Sequence, residues 1–213
     1  MRTLNFLDTL LTEVDGALRT LIPPTHRNSM RQTPAEKIVE STLSASEKKH
    51  IAGLMRVNHS GEVCAQALYQ GQALTAKLTH IKAQMAQAAL EETDHLAWCE
   101  ERLSELNSKP SRLNPFWYSG SLLLGALAGL AGDKISLGFV AETERQVSAH
   151  LQKHILALPI QDKKSKAILE RMHDDEQHHA QTAINAGAAE LPGFIKNVMS
   201  KVSKLMTKSS YYF

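Results

Sequence analysis

The stretch Glu91-Glu92-Thr93-Asp94-His95 returns in altered form as Asp175-Glu176-Gln177-His178-His179. Both contain Glu-x-x-His. Residues three apart share one face of an α-helix, so each copy aims a carboxylate and an imidazole at a common point. A single glutamate precedes each copy: Glu62 lies 30 residues before Glu92, and Glu144 lies 32 before Glu176. Two Glu-x-x-His pairs plus two lone glutamates make the ligand set of a carboxylate-bridged two-metal site inside a four-helix bundle.

The intervals also predict how the chain runs. The first has its midpoint near Lys77–Leu78, and the second at residue 160, directly after Pro159, where a proline disfavoured in a helix interior marks a turn. About fifteen residues up and fifteen back return the chain to the same height, roughly 22 Å from the turn at 1.5 Å per residue. Helices are therefore expected over about 45–77, 81–107, 133–157 and 161–187, with a further helix from about 192. Ser44 and Glu47 have the form of a capping box and support a helix start there. The 52 residues from Glu92 to Glu144 need a crossover, as in ferritin-like bundles. The expected fold is all-α, a ferritin-like four-helix bundle with a long apolar crossover and amphipathic terminal helices. It divides into an N-terminal helix and linker (1–44), the bundle with its crossover at 113–132 (45–190), and a basic amphipathic helix (191–213).

The glutamates lie on apolar stripes. Glu144 shares its face with Leu137, Val140, Val147 and Leu151, Glu92 with Met85, Ala88, Ala89 and Leu96, and Glu176 with Leu169, Met172, Ala180 and Ala183. Isolated buried carboxylates are prohibitively costly, and several together are worse, so a positive partner is required. Two divalent ions bring four positive charges against four carboxylates, with both imidazoles neutral. Oxygen-rich ligation with one histidine per metal favours iron or manganese over zinc or magnesium.

Glu91 lies four residues before His95, and Asp175 four before His179. Metal-bound histidines pass their other ring N–H to a carboxylate or carbonyl, so both acids are expected behind the ligands. His59, three residues before Glu62, is either a competing ligand or another group behind the ligands, and the second is favoured. His150, which forms an i, i+4 pair with His154, is expected near the site, whereas His173 and His178 read as solvated and Tyr69 as packing.

A balance of 24 basic and 22 acidic residues makes no case for nucleic acid. Cys64 and Cys99 are too few for a disulfide framework and read as small buried hydrophobes. Leu4, Leu7, Leu10, Leu11, Val14, Leu18 and Leu21 have helical spacing, but Asp8, Glu13 and Asp15 exclude a signal or transit peptide. Pro23-Pro24 should end that helix, and residues 25–44, rich in Thr, Ser, Asn and Pro, read as a linker. Leu113 to Gly132 carries no charge over 20 residues, with Phe116-Trp117-Tyr118 near one end. Pro115 and the Ser119-Gly120-Ser121 break argue against a full span, so partial membrane insertion is expected. The alternative is a core helix that packs closely through Gly125 and Gly129. At the C-terminus, Phe194, Ile195, Val198, Met199, Val202, Leu205 and Met206 form a stripe beside Lys196, Lys201, Lys204 and Lys208, a fit for an anionic membrane surface.

Arg56-Val57-Asn58-His59-Ser60-Gly61-Glu62, Glu91-Glu92-Thr93-Asp94-His95, Val140-Ala141-Glu142-Thr143-Glu144 and Asp175-Glu176-Gln177-His178-His179 together resemble the demethoxyubiquinone hydroxylase family, over about residues 45–213. The resemblance implies a bacterial di-iron, O2-dependent monooxygenase that hydroxylates the ring of a polyprenyl methoxy-methyl-benzoquinol, the 3-demethoxyubiquinol 3-hydroxylase step of ubiquinone biosynthesis. It implies iron ligands Glu62, Glu92, His95, Glu144, Glu176 and His179, with no catalytic residue beyond them. Glu142 rivals Glu144, but the apolar face and the family pattern both choose Glu144. His150 matches a family histidine near the site. Leu151 stands where animal relatives often carry tyrosine, which puts a tyrosine electron relay in doubt. One oxygen atom would go to the ring and the other to water, with electrons from the quinol or NADH; no dinucleotide-binding motif is present. The resemblance places the protein peripherally on the cytoplasmic side of the bacterial inner membrane, with homo-oligomers and other ubiquinone-biosynthesis proteins as compatible partners. The rival class is a ferritin- or rubrerythrin-like iron oxidase or peroxidase.

Overall fold

The Ser44 hydroxyl accepts the Glu47 backbone N–H at 3.3 Å, and the Glu47 carboxylate accepts the Ser44 N–H at 2.8 Å, so the predicted capping box opens the first bundle helix. The computed structural model describes residues 6–22, 27, 29–76 and 79–213. The helices are α1 (Phe6–Leu21), α2 (Ala45–Thr75), α3 (Thr79–Glu105), α4 (Asn114–Leu130), α5 (Asp133–Ala157), α6 (Lys163–Asn185) and α7 (Gly193–Tyr212), and no strand occurs among the described residues. The turn expected at Lys77–Leu78 and the Pro23-Pro24 stop lie outside them. The turn at Pro159 separates α5 from α6, and Asp162 then caps α6 by accepting the Ser165 N–H, which starts that helix two residues later than 161.

α2 pairs with α3 and α5 with α6 as the two expected hairpins. One apolar cluster holds Ile51, Met55, Trp98, Leu103, Leu151, Leu169 and Met172; another holds Tyr69, Met85, Leu137, Val140 and Ala183. On each of the four helices the two clusters flank the glutamate, above and below in sequence. The ligand-type residues therefore form a polar layer between two apolar plugs. Burying a large aliphatic side chain contributes about 1.5–3 kcal/mol, so the plugs supply the stability that lets a costly charged layer persist.

The uncharged stretch folds as α4 and lies along α2. Close approach explains Gly125 on α4 and Gly71 on α2: a Cβ at Gly125 would run into the Leu68 carbonyl oxygen, and one at Gly71 into that of Leu122. Close glycine packing, the alternative to partial insertion, is thus present. No helix among the described residues is long and apolar enough to cross a membrane. Even so, Phe116, Leu123, Leu124, Leu127 and Leu130 remain exposed on the side of α4 away from α2.

The terminal helices turn much of their apolar stripes outward. On α1, Leu7, Leu11, Val14 and Leu18 point outward, while Ala17 and Leu21 pack against Val63, Ala67, Leu96, Tyr118 and Leu122. α7 seats Met206 and Ser210 against the body and Tyr211 in the space left by Gly53, while Phe194, Val198, Val202 and Leu205 stay exposed. The segment read as a linker is bound along its described length. Ala35 and Leu43 are buried in the larger cluster, and the Arg27 guanidinium donates to both oxygens of Glu100 at 3.0 and 2.8 Å. Long-range ion pairs hold it, and these leave no periodicity to read.

Candidate metal centre

Glu62 comes from α2, Glu92 and His95 from α3, Glu144 from α5, and Glu176 and His179 from α6; all six are buried. They form two groups suited to metal, Glu62–Glu92–His95–Glu176 and Glu92–Glu144–Glu176–His179, each with its ligand atoms within 4.8 Å of one another. Glu92 and Glu176 belong to both, so the two positions share carboxylates. Glu142, the rival, is bound instead to Arg145 and Gln146 on its own helix.

Both imidazoles turn Nδ1 into this layer. His95 Nδ1 stands 2.9 Å from Glu92 Oε2 and 3.2 Å from Glu176 Oε1, and His179 Nδ1 lies 3.2 Å from Glu92 Oε1 and 3.3 Å from Glu176 Oε2. Each of the four glutamates keeps one buried oxygen with no partner in hydrogen-bonding geometry: Glu62 Oε1, Glu92 Oε1, Glu144 Oε2 and Glu176 Oε1. Orphaned carboxylate oxygens on all four helices, facing inward-turned imidazoles, fit a pair of divalent cations of the iron or manganese type.

The electrostatics express the same strain. Burial, then the charge of Glu92, pushes the Glu62 carboxyl well above the carboxylate range; burial, then Glu176, does so for Glu144. Burial works against an ionised Glu92 too, but His95 and His179 hold it well below that range. Burial also opposes a charged His179, yet the Glu176 and Glu92 carboxylates override it and push its pKa up to about 12. Protons thus do the neutralising when cations do not, and cation binding must expel them.

Glu91 and Asp175 do stand behind the histidines, with the pairing crossed between helices. His95 Nε2–H donates to Asp175 Oδ2 at 3.0 Å, and His179 Nε2–H donates to Glu91 Oε2 at 2.7 Å. With Nδ1 turned inward, Nε2 points across the α3–α6 gap, where the facing helix presents its acid. His59 corrects the expectation placed on it. Its Nε2–H donates to Glu100 at 3.1 Å and its Nδ1 accepts from Asn114 at 3.2 Å, so its hydrogen bonds run to α3 and to Asn114 on α4, not to the six residues. Nearly a full turn before Glu62, it faces a different neighbour. His150 has both ring nitrogens buried without a hydrogen bond and joins neither metal group. Tyr69, read as packing, donates its hydroxyl to Glu144, and burial together with the Glu144 charge keeps that phenol protonated.

Sequence reasoning missed Arg31 and Asp94. The Arg31 guanidinium donates to Asp94 and Asp175 at 2.7 Å each and lies 4.9 Å over the Trp98 ring. Arg31 is far from the motifs in sequence, inside an aperiodic segment, so no spacing rule reaches it. A cavity of about 190 Å³ opens beside Tyr69, Met85, Glu91, Val140 and His179.

Two antiparallel hairpins that carry matched Glu-x-x-His copies around shared carboxylates define a ferritin-like helical-bundle protein. Within that class, the family model of the ubiquinone biosynthesis protein COQ7 matches residues 49–210, and the chain belongs to that family. It is 73% and 72% identical over 212 residues to proteins named 3-demethoxyubiquinol 3-hydroxylase from Legionella pneumophila strains Corby and Paris, with both chains fully covered. A protein of the same name from Acinetobacter baylyi is 60% identical over 212 residues, again with full coverage of both.

Proposed function

We propose that this chain is a 3-demethoxyubiquinol 3-hydroxylase, an O2-dependent monooxygenase acting on the ring of a polyprenyl methoxy-methyl-benzoquinol. The observation that carries the reading is the buried pair of Glu/His groups sharing Glu92 and Glu176, in a chain that matches hydroxylases end to end. Glu62, Glu92, His95 and Glu176 would hold one iron, and Glu92, Glu144, Glu176 and His179 the other. Two irons bound there supply the redox chemistry that lets one atom of dioxygen enter the ring while the other leaves as water.

The chain's own residues set the conditions. Asp175 and Glu91 accept the Nε2–H hydrogen bonds and so hold each proton on Nε2, which leaves the Nδ1 lone pair free to bind metal. Tyr69 holds one oxygen of Glu144 and leaves the other turned inward. The two apolar plugs exclude water from above and below. The cavity beside His179 and Tyr69 offers an apolar approach for a ring. The reductant is NADH or the quinol itself.

Outward apolar faces on α1, α4 and α7, with exposed Lys201, Lys204 and Lys208 on the last, support a peripheral seat on the cytoplasmic face of the inner membrane. There the isoprenoid tail stays in lipid while the ring reaches the site. Expression in a bacterium lacking this hydroxylation step tests the whole reading. The expected result is loss of the accumulated demethoxy intermediate, recovery of ubiquinone, and the chain in the membrane fraction. Persistence of the intermediate with iron bound, and soluble ferrous oxidation without quinone, would replace it with a ferritin-like oxidase.

A further inference from the structure

We propose that Arg31, on the segment between α1 and α2, is a positioning residue that clamps the acid behind one histidine only and so makes the two metal positions inequivalent. The inference rests on the two-metal reading above.

Arg31 is pinned at both ends. Its carbonyl accepts the Trp98 indole N–H at 3.3 Å, and the neighbouring Met30 N–H donates to Asp94 Oδ1 at 2.6 Å. From that fixed backbone, Nε donates to Asp94 Oδ2 and Nη1 to Asp175 Oδ2, bridging an acid on α3 to an acid on α6. Asp94 and Asp175 side chains are only 3% and 11% exposed, so this charge pairing is little screened by water. Asp175 Oδ2 is also the oxygen that accepts from His95 Nε2. One oxygen therefore serves an arginine and a ligand-type histidine together. A guanidinium on that oxygen fixes its place and withdraws negative charge from it.

The mirror position lacks this clamp. Glu91, which accepts from His179, takes its other hydrogen bond from the neutral Gln87 amide at 3.0 Å and has no arginine or lysine salt bridge among the described residues. His95 is further closed in by Trp98, whose ring lies 5.4 Å away, whereas His179 and Glu91 line the open cavity. One side of the centre is thus sealed and clamped, and the other faces the approach route with a more strongly polarised imidazole. Arg31 lies before α2, so the clamp reaches the bundle from the segment that precedes it.

Cobalt(II) titration of the full chain, followed by visible absorption, tests this without turnover. In Arg31→Met, one of two cobalt equivalents should bind about 10- to 100-fold more weakly than in the unaltered chain, as for loss of a group behind a metal ligand, and the other should stay within about threefold. Glu91→Gln should weaken the complementary equivalent, and the double variant both. Arg31→Lys keeps a charge but cannot bridge Asp94 to Asp175, so it should still separate the two equivalents and serves if the methionine variant does not fold. Equal loss at both positions, no loss at either, or a double variant that weakens one equivalent alone overturns the inference. Fewer than two equivalents in the unaltered chain overturns the two-metal reading, and the inference with it.

Discussion

His179 on α6 and Glu91 on α3 meet across the bundle, Nε2 to Oε2 at 2.7 Å. The exchange is reciprocal, since His95 on α3 reaches Asp175 on α6. Each hairpin therefore supplies the acid for the other's histidine, and the α2–α3 and α5–α6 hairpins are tied at the level of the buried Glu/His layer. Each histidine is held in place only when both hairpins are docked.

Removing one acid should then act at a distance from its own helix. Asp175→Ala is expected to lower metal affinity about 10- to 100-fold by freeing the His95 ring, although Asp175 and His95 are on different helices. Metal analysis after gel filtration, together with single-turnover hydroxylation, checks it. Full iron occupancy with full activity would sink the role given to Asp175.

Tyr69→Phe keeps the ring in the apolar plug and deletes only the hydroxyl that donates to Glu144. A second oxygen of a buried carboxylate would lose its partner, at a cost of about 1–3 kcal/mol. In a chain of this size that lowers the Tm of the metal-free protein by roughly 2–4 °C per kcal/mol. Metal should narrow the gap, because Glu144 then gains a cation. An equal Tm deficit with and without iron would argue that Tyr69 acts through packing alone.

The clustering of six buried Glu and His residues, both hairpins and the depth of the layer were legible because helix periodicity carries them. Glu62, Glu92, Glu144 and Glu176 each stand on an apolar stripe, and an antiparallel hairpin leaves one way to bring such stripes together. The crossing of His95 to Asp175 was half legible: the acids were visible at i−4, but same-helix spacing says nothing about the facing helix. Arg31 was invisible, since an ion pair between residues 31 and 175 leaves no periodic trace. The direction of the α1 stripe was not legible from its spacing. An apolar stripe normally faces the core, yet Leu7, Leu11, Val14 and Leu18 face outward.

Two glycines on α4 should respond with opposite sign. Gly125→Ala places a Cβ against the Leu68 carbonyl, and since backbone cannot swing aside, α4 must shift off α2 at a cost of about 1–3 kcal/mol. A Cβ at Gly120 meets nothing within 4 Å, so Gly120→Ala should stabilise the helix by up to ~1 kcal/mol through propensity. Urea midpoints of the two variants decide it. Equal midpoints would mean that the α2–α4 contact tolerates far more separation than its geometry indicates.

Acid should destabilise the protein through a pair of buried histidines that belong to neither metal-type group. Burial first, then the charges of His154 and Lys153, presses the His150 pKa down to about 3; burial, then His50 and Lys153, presses His154 to about 4. Both are neutral when folded, with His154 Nδ1–H donating to Asn58 Oδ1 at 2.8 Å. The unfolded chain takes up protons near pH 6.5 and the folded chain does not until pH 3–4. Their stabilising effect is therefore complete above pH 6.5 and declines as pH falls from there toward the folded values. At pH 5 the deficit is about 1–2 kcal/mol for each histidine, since 1.5 units below 6.5 is worth ~2 kcal/mol at most. His150→Leu, which cannot take up a proton, should flatten the fall in unfolding free energy between pH 7.5 and 5 by about that amount. A variant with the same slope as the unaltered chain would show that the acid sensitivity arises elsewhere, in the carboxylate layer.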